Sequence, residues 1–301
     1  MPTRPIVAAI GCGGTISSLG RDSTDVLDYP DFGTKMSIEE VVGRYPEIAK
    51  VAEVVPVPFR SVGSTAIGPP EWLELASIIH RLAAERPELA GFVIPHGTAT
   101  LEETAYFLHL ALKTDKNVVA VGAQRPASAL SSDAGMNLLG AVRVACAPQS
   151  RGLGVLGHVD GDGVQIYRRP VRLHAPATEF DLGTLQSLPR VDITYSYGGV
   201  DGTVVEALVA AGARGIVSAG LAPGIPALLE RAALEKARDA GVVIVQSSRA
   251  GSGRVALRRY LEEGGMVAAD NLNPQKARIL LMLALTRSPD IAEIRRIFAT
   301  Y

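Results

Sequence analysis

Cysteine is nearly missing from this sequence: Cys12 and Cys146 are the only two in 301 residues. One distant pair gives neither a disulfide framework nor a metal-type spacing, so no metal and a reduced, cytoplasmic setting are expected. An excess of one charge is also lacking, since 30 basic side chains face 31 acidic ones. That balance leaves no electrostatic footprint for nucleic acid or an anionic membrane surface. Long apolar runs are absent too, and nothing approaches the about 20 residues that a spanning helix requires. Met1-Pro2-Thr3-Arg4-Pro5 leads into a six-residue run rather than a signal-peptide core, and the chain reads as soluble and unexported. What is present is 47% apolar and 20% charged residues. At roughly 150 residues per domain this suits two packed cores and excludes disordered and fibrous classes.

Short β-branched runs alternate with helical periods, the pattern of parallel sheets covered by helices on both faces. Ile6 to Ile10 reads as a first buried strand. Pro69 and Pro70 open a helix with Trp72, Leu75, Ile79 and Leu82 at helical spacing. Phe92 to Pro95 is another strand, running into His96-Gly97-Thr98-Ala99-Thr100-Leu101-Glu102-Glu103. Thr100 and Glu103 have the spacing of a capping box for a helix reaching about Lys113. Val118 to Gly122 reads as a strand, and Asp133 to Ala147 as a helix with Asp133 as its cap. Between Gln165 and Pro189 the alternation stops and three prolines intervene. The chain is therefore divided into a domain over 1–164, a linker over 165–190 and a second α/β domain over 191–301. In the latter, strands are expected over Val191 to Tyr195, Gly215 to Ala219 and Val242 to Gln246. Helices are expected near Val204 to Ala211, Ala227 to Ala240 and Pro274 to Thr286.

In an open parallel sheet, ligands gather beyond the carboxyl ends of strands, where loops and helix N-termini converge. Thr15, in Gly11-Cys12-Gly13-Gly14-Thr15-Ile16, and Thr98 both follow strand ends. Backbone N–H groups around Thr98 would serve as oxyanion donors. The competing readings are a turn hydroxyl for Thr15 and a helix cap for Thr98. A dinucleotide fingerprint needs glycine where Ile16 stands, and no Walker loop, nucleophile elbow or metal-spaced histidine pair occurs. No cofactor is expected, and the partner is a small-molecule substrate. Ser17 to Gly33, with Gly20, Ser23, Asp25, Asp28 and Tyr29, is too long for an ordinary connection and reads as a lid. Closure would bring Tyr29 to Thr15, unless the tyrosine only packs at the loop base.

Gly13-Gly14-Thr15-Ile16 and His96 to Ala105 resemble the two signatures of the bacterial-type L-asparaginases and glutaminase-asparaginases. Val121-Gly122-Ala123-Gln124-Arg125-Pro126, with Asp133 and Asn137, and Leu272 to Arg278 resemble two further segments of that family. The resemblance covers nearly the whole chain. It implies the two-domain asparaginase-like α/β fold, with a larger N-terminal domain on a mostly parallel sheet and a smaller C-terminal α/β domain. It also implies an amidohydrolase in which Thr15 is the nucleophile, Tyr29 its lid partner and Thr98 the second threonine. Ser64 matches the serine that holds the substrate carboxylate, Thr65 stands where the family has glutamine, and Gly97 and Ala99 flank Thr98. A homodimer or homotetramer with sites at the subunit interface is implied as well.

The departures are specific. Ala99 replaces the family's aspartate, the stretch Arg151 to Val164 contains no lysine where the family has its catalytic one, and Arg258 aligns with a glutamate donated by a neighbouring subunit. Arg259 is the alternative register for that position. A positioned base contributes roughly 10²–10⁴-fold, so some group must replace the lysine: Tyr29, or Asp160 or Asp162 in the next turn. His96 reads as a structural histidine. Losing both acidic partners leaves a desolvated α-ammonium uncompensated, at a cost of several kcal/mol, approximately. The expected substrate is therefore a small carboxamide, imide or lactone without an α-amino group, its second carboxylate pairing with Arg258 or Arg259. The alternatives are a catalytically degenerate metabolite-binding protein and a true L-asparaginase with a relocated base.

Overall fold

The computed structural model describes residues 4–153, 157–159, 163–183 and 185–301. The chain forms two compact units, Met1–Thr178 and Glu179–Tyr301. In the first unit the strands are β1 (Ile6–Ile10), the hairpin β2 (Ser18–Leu19) and β3 (Thr34–Lys35), β4 (Glu53–Val57), β5 (Leu89–Pro95), β6 (Asn117–Val121), and a second hairpin of β7 (Gly157–Val159) and β8 (Val164–Ile166). The helices are α1 (Tyr29–Phe32), α2 (Ile38–Arg44), α3 (Pro69–Glu85), α4 (Leu101–Ala111) and α5 (Ala134–Cys146).

Four parallel strands form the main sheet in the order β4-β1-β5-β6. β5 is buried on both faces, which is why its sequence is an unbroken apolar run. β4 is an edge strand and therefore tolerates Pro56. The chain runs from β1 to β4 on one side, then to β5 and β6 on the other. This reversal puts the switch point of the sheet at the carboxyl ends of β1 and β5.

Two expected caps are made differently. Thr100 holds the N-cap position of α4 without capping it, because its hydroxyl donates to the Ser64 carbonyl at 2.8 Å. Asp133 precedes α5, and its carboxylate accepts the amides of Gln124 and Arg125 from the loop after β6 instead. Regular structure also continues to Ile166, so residues 165 and 166, assigned to the linker, lie in β8.

The second unit contains β9 (Val191–Tyr195), β10 (Gly215–Gly220), β11 (Val243–Ser248) and β12 (Val267–Ala268). Its helices are α6 (Thr203–Ala210), α7 (Leu228–Asp239), α8 (Arg259–Glu263), α9 (Pro274–Leu285) and α10 (Ile291–Thr300). The parallel order β12-β11-β10-β9 advances in one direction and has no reversal. Asn273 caps α9 by accepting the Lys276 amide, and Asp290 caps α10 through the Glu293 amide. No helix among the described residues is long and apolar enough to cross a membrane.

Candidate active site

Three loops meet at the switch point. After β1, Cys12 N–H donates to the Pro95 carbonyl at 3.0 Å and Gly14 N–H to the Val62 carbonyl at 2.9 Å. Gly14 has φ +83, and a Cβ there would stand 2.2 Å from the nitrogen and Cα of Gly97. A Cβ on Gly97 would in turn meet Ser64 Cβ and Oγ at 2.7 Å. The two glycines therefore let the loops after β1 and β5 touch backbone to backbone beside Ser64, which is buried, while Thr65 is exposed.

Thr15 opens the single 3₁₀ turn that follows Gly14 and is half-buried. Its Oγ1 lies 2.8 Å from the hydroxyl of Tyr29, the first residue of α1 in the lid. Leu19 and Ser18 pair with Thr34 and Lys35 at the lid's base, so the loop leaves and returns beside the site.

The loop after β5 is fixed from beneath. His96 is fully buried, its Nδ1 2.8 Å from the Gly97 carbonyl and its Nε2 3.0 Å from Thr104 Oγ1. Thr104 Oγ1 already accepts the Trp72 indole N–H at 3.0 Å. The Gly97 carbonyl can only accept, so the neutral ring carries its proton on Nδ1, and Nε2 accepts the Thr104 hydroxyl proton. Burial lowers the imidazole pKa and keeps the ring neutral. The structural role expected for His96 thus has a definite form: it holds the Gly97 carbonyl. The sequence pattern places Trp72 on the apolar face of α3 but gives no sign that it reaches Thr104, on the buried face of α4, and through it the site.

Thr98 and Ala99 are exposed. Among the described residues, neither N–H donates to a carbonyl and the Thr98 hydroxyl has no hydrogen-bond partner. A Cβ on Gly122 would stand 2.8 Å from Thr98 Cγ2, and the Gly122 carbonyl accepts Asn137 Nδ2 at 2.9 Å. No lysine or carboxylate among the described residues hydrogen bonds to Thr15, Tyr29 or Thr98. Lys116 binds the carbonyls of Pro87 and Leu89 at the amino end of β5, and Lys113 binds Thr178.

Asp160 and Asp162 lie outside the described residues. Arg259 is paired with Glu263 at 2.6 Å. Arg258, in the second unit, lies over the Tyr260 ring and donates to the Gly224 carbonyl at 3.3 Å, while its buried Nε has no partner among the described residues. A cavity of about 550 Å³ is lined, among the described residues, by Gln149, Leu153 and residues 164–169, and not by Thr15, Tyr29 or Thr98. Among the described residues no group of three His, Cys, Asp or Glu side chains is placed to hold a metal ion.

A glycine turn that presents the Thr15 hydroxyl to Tyr29, beside unpaired N–H groups at the start of α4, is chemically able to support acyl transfer. The family model for the asparaginase N-terminal domain matches residues 6–175, and that for the glutaminase/asparaginase C-terminal domain matches residues 190–298. A glutaminase-asparaginase of Pseudomonas fluorescens biotype A is 36% identical over 98% of this chain and 90% of its own length. L-asparaginase 2 of Bacillus subtilis is 35% identical over 99% of this chain and 87% of its own. The solved structure of a probable cytoplasmic L-asparaginase from Campylobacter jejuni superposes with a TM-score of 0.94 at 33% identity, covering 99% of this chain and all of that one. Domain matches, near-complete coverage and a shared two-domain architecture place the chain in the asparaginase/glutaminase family, as a hydrolase of amide C–N bonds.

Proposed function

We propose that the protein hydrolyses a small carboxamide, imide or lactone lacking an α-ammonium group, through Thr15. The observation that carries the reading is the 2.8 Å contact between Thr15 Oγ1 and Tyr29 OH. Thr15 Oγ1 attacks the substrate carbonyl while its proton passes to the Tyr29 oxygen, and the Tyr29 proton passes to the leaving nitrogen, or to the leaving oxygen of a lactone. The tyrosine stays neutral throughout, so the step requires no lysine. The N–H groups of Thr98 and Ala99 receive the oxyanion, aided by the start of α4. In a carboxamide the C–N bond breaks and ammonia leaves; in an imide or a lactone the ring opens at C–N or C–O and the leaving group stays tethered; water then cleaves the Thr15 ester, releasing the acid and returning the proton to Thr15 Oγ1. Ala99 supplies no charge for an ammonium, and Arg258 suits a second carboxylate, donated across a subunit interface in a homodimer or homotetramer. Two free cysteines and a relative called cytoplasmic favour a cytoplasmic setting, although a relative in Haemophilus influenzae is called periplasmic.

The test compares succinamate, glutaramate, succinimide and L-asparagine as substrates. Succinamate or succinimide is expected to turn over faster than asparagine, with Thr15→Ala inactive and Tyr29→Phe slowed roughly 10²-fold or more. Ala99→Asp should raise asparagine turnover selectively. Unimpaired hydrolysis by Thr15→Ala would remove this threonine from the chemistry. A second reading, L-asparaginase with a relocated base, is favoured by the names of the relatives. Brisk ammonia release from asparagine would establish it, and ligand-induced stabilisation without turnover would favour a binding protein.

A further inference from the structure

Tyr29 is useful to Thr15 only if the lid delivers it in one position, and a polar loop has no apolar core to enforce that. The lid does contain a carboxylate whose oxygens are taken up by the loop's own N–H groups. Asp25 sits on an otherwise exposed loop, yet its side chain is only 5% accessible. Its Oδ2 accepts the Arg21 amide at 3.0 Å and Arg21 Nε at 3.4 Å, while Oδ1 accepts the Asp28 amide at 3.1 Å. One carboxylate thus joins the outgoing limb of the lid to the returning limb, at the residue immediately before Tyr29. Gly20 is closed against it, since a Cβ there would stand 2.9 Å from Asp25 Cβ. Beyond the clasp, the Asp28 carbonyl accepts the amides of Asp31 and Phe32, which starts α1 at Tyr29.

From this geometry we infer that Asp25 is a positioning residue: its carboxylate clasps Arg21 to Asp28 and so sets Tyr29 against Thr15. The inference rests on the reading of Thr15 and Tyr29 as the reacting pair. Both carboxylate oxygens receive N–H donors from opposite limbs, so an amide of the same shape fails, because its NH₂ would face a second N–H. Asp25→Asn should therefore behave like Asp25→Ala. Asp31, an exposed acid of the same lid, is the control for charge alone.

Two readouts test this on the full-length protein. Trypsin cleavage after Arg21 is expected to accelerate at least 10-fold in Asp25→Asn and Asp25→Ala, but not in Asp31→Asn. Succinamate hydrolysis, or that of whichever panel substrate turns over, should lose about 10-fold or more in kcat, with KM changed much less and Tm held within about a degree. Because Asp25 acts through Tyr29, Asp25→Asn should cost little further kcat in a Tyr29→Phe background. Wild-type protease resistance in Asp25→Asn would overturn the clasp. An undiminished kcat loss in the Tyr29→Phe background would overturn its action through Tyr29. If Tyr29→Phe itself leaves turnover unchanged, the reacting-pair reading fails, and the cleavage rates still report on the clasp separately.

Discussion

Asp133 shows how much one carboxylate fixes near the site. It accepts the Gln124 amide at 2.9 Å, the Arg125 amide at 3.0 Å and Asn137 Nδ2 at 2.8 Å, and Asn137 in turn holds the Gly122 carbonyl. Partial burial pushes its pKa up, but these donors outweigh that and hold it below the ordinary carboxylate value. A depressed folded-state pKa contributes stability that is present above the unfolded value of about 3.9 and is lost as pH falls through the folded one. Asp133→Ala should therefore cost about 2 kcal/mol in urea unfolding at neutral pH. The gap from wild type should narrow below about pH 4. A gap that stays constant into the acid range would mean that the carboxylate's charge contributes nothing.

Among the elements, the start of α7 carries a comparable device. Glu230 is fully buried and accepts the Thr194 hydroxyl at 2.9 Å and the Ser196 hydroxyl. Thr194 is in register with Ser218, and Ser218 with Gln246, whose Nε2 donates to Ser218 Oγ at 3.1 Å. This polar row crosses three strands of the second unit. Glu230→Leu would leave two buried hydroxyls without an acceptor and should cost about 3 kcal/mol. That is a fall in Tm of roughly 5–10 °C. Adding Thr194→Val and Ser196→Ala should recover most of it, and a loss that persists in the triple variant would place the Glu230 contribution elsewhere. Such pairings are not legible in a sequence, because side chains 34 to 36 positions apart leave no local period. The same limit hid the His96, Thr104 and Trp72 chain. Elements with strong periods were readable: β1, β5, β9 and α3 lie where apolar spacing put them. β4 was missed because Glu53 and Pro56 interrupt its apolar run. α2 was missed although Ser37 and Glu40 form a capping box with both bonds made. α10 was missed despite Ile291, Ile294, Ile297 and Phe298 at helical spacing. At the site, glycine loops after buried strands point to Thr15 and Thr98, the long polar loop Ser17 to Gly33 points to Tyr29, and the family resemblance adds Ser64. What fixes the lid did not show, since Asp25 looks like any turn aspartate until its partners are known.

For the whole molecule, a net charge of −1 offers no long-range repulsion between copies. The second unit exposes Leu228 and Leu229 to 81% and 61%, and Tyr195, Tyr197, Ile225 and Leu257 are exposed as well. Tyr195 ends β9, Tyr197, Ile225 and Leu257 follow β9, β10 and β11, and Leu228 and Leu229 open α7, so these exposed apolar residues share the carboxyl-end side of a parallel sheet, and contiguous apolar patches mark interaction surfaces. We expect gel filtration to give a dimer or tetramer, and Leu228→Asp with Leu229→Asp to give a smaller species that no longer hydrolyses the substrate. Sharing of the site has a sharper test. If Arg258 acts in a partner's site, Thr15→Ala and Arg258→Ala chains are each inactive alone. Mixed by co-expression they form hybrids in which one site has both an intact Thr15 and an intact Arg258. Random pairing of equal amounts would restore about a quarter of wild-type activity. If Arg258 serves the site of its own chain, every hybrid site lacks one of the two residues, and mixing restores nothing.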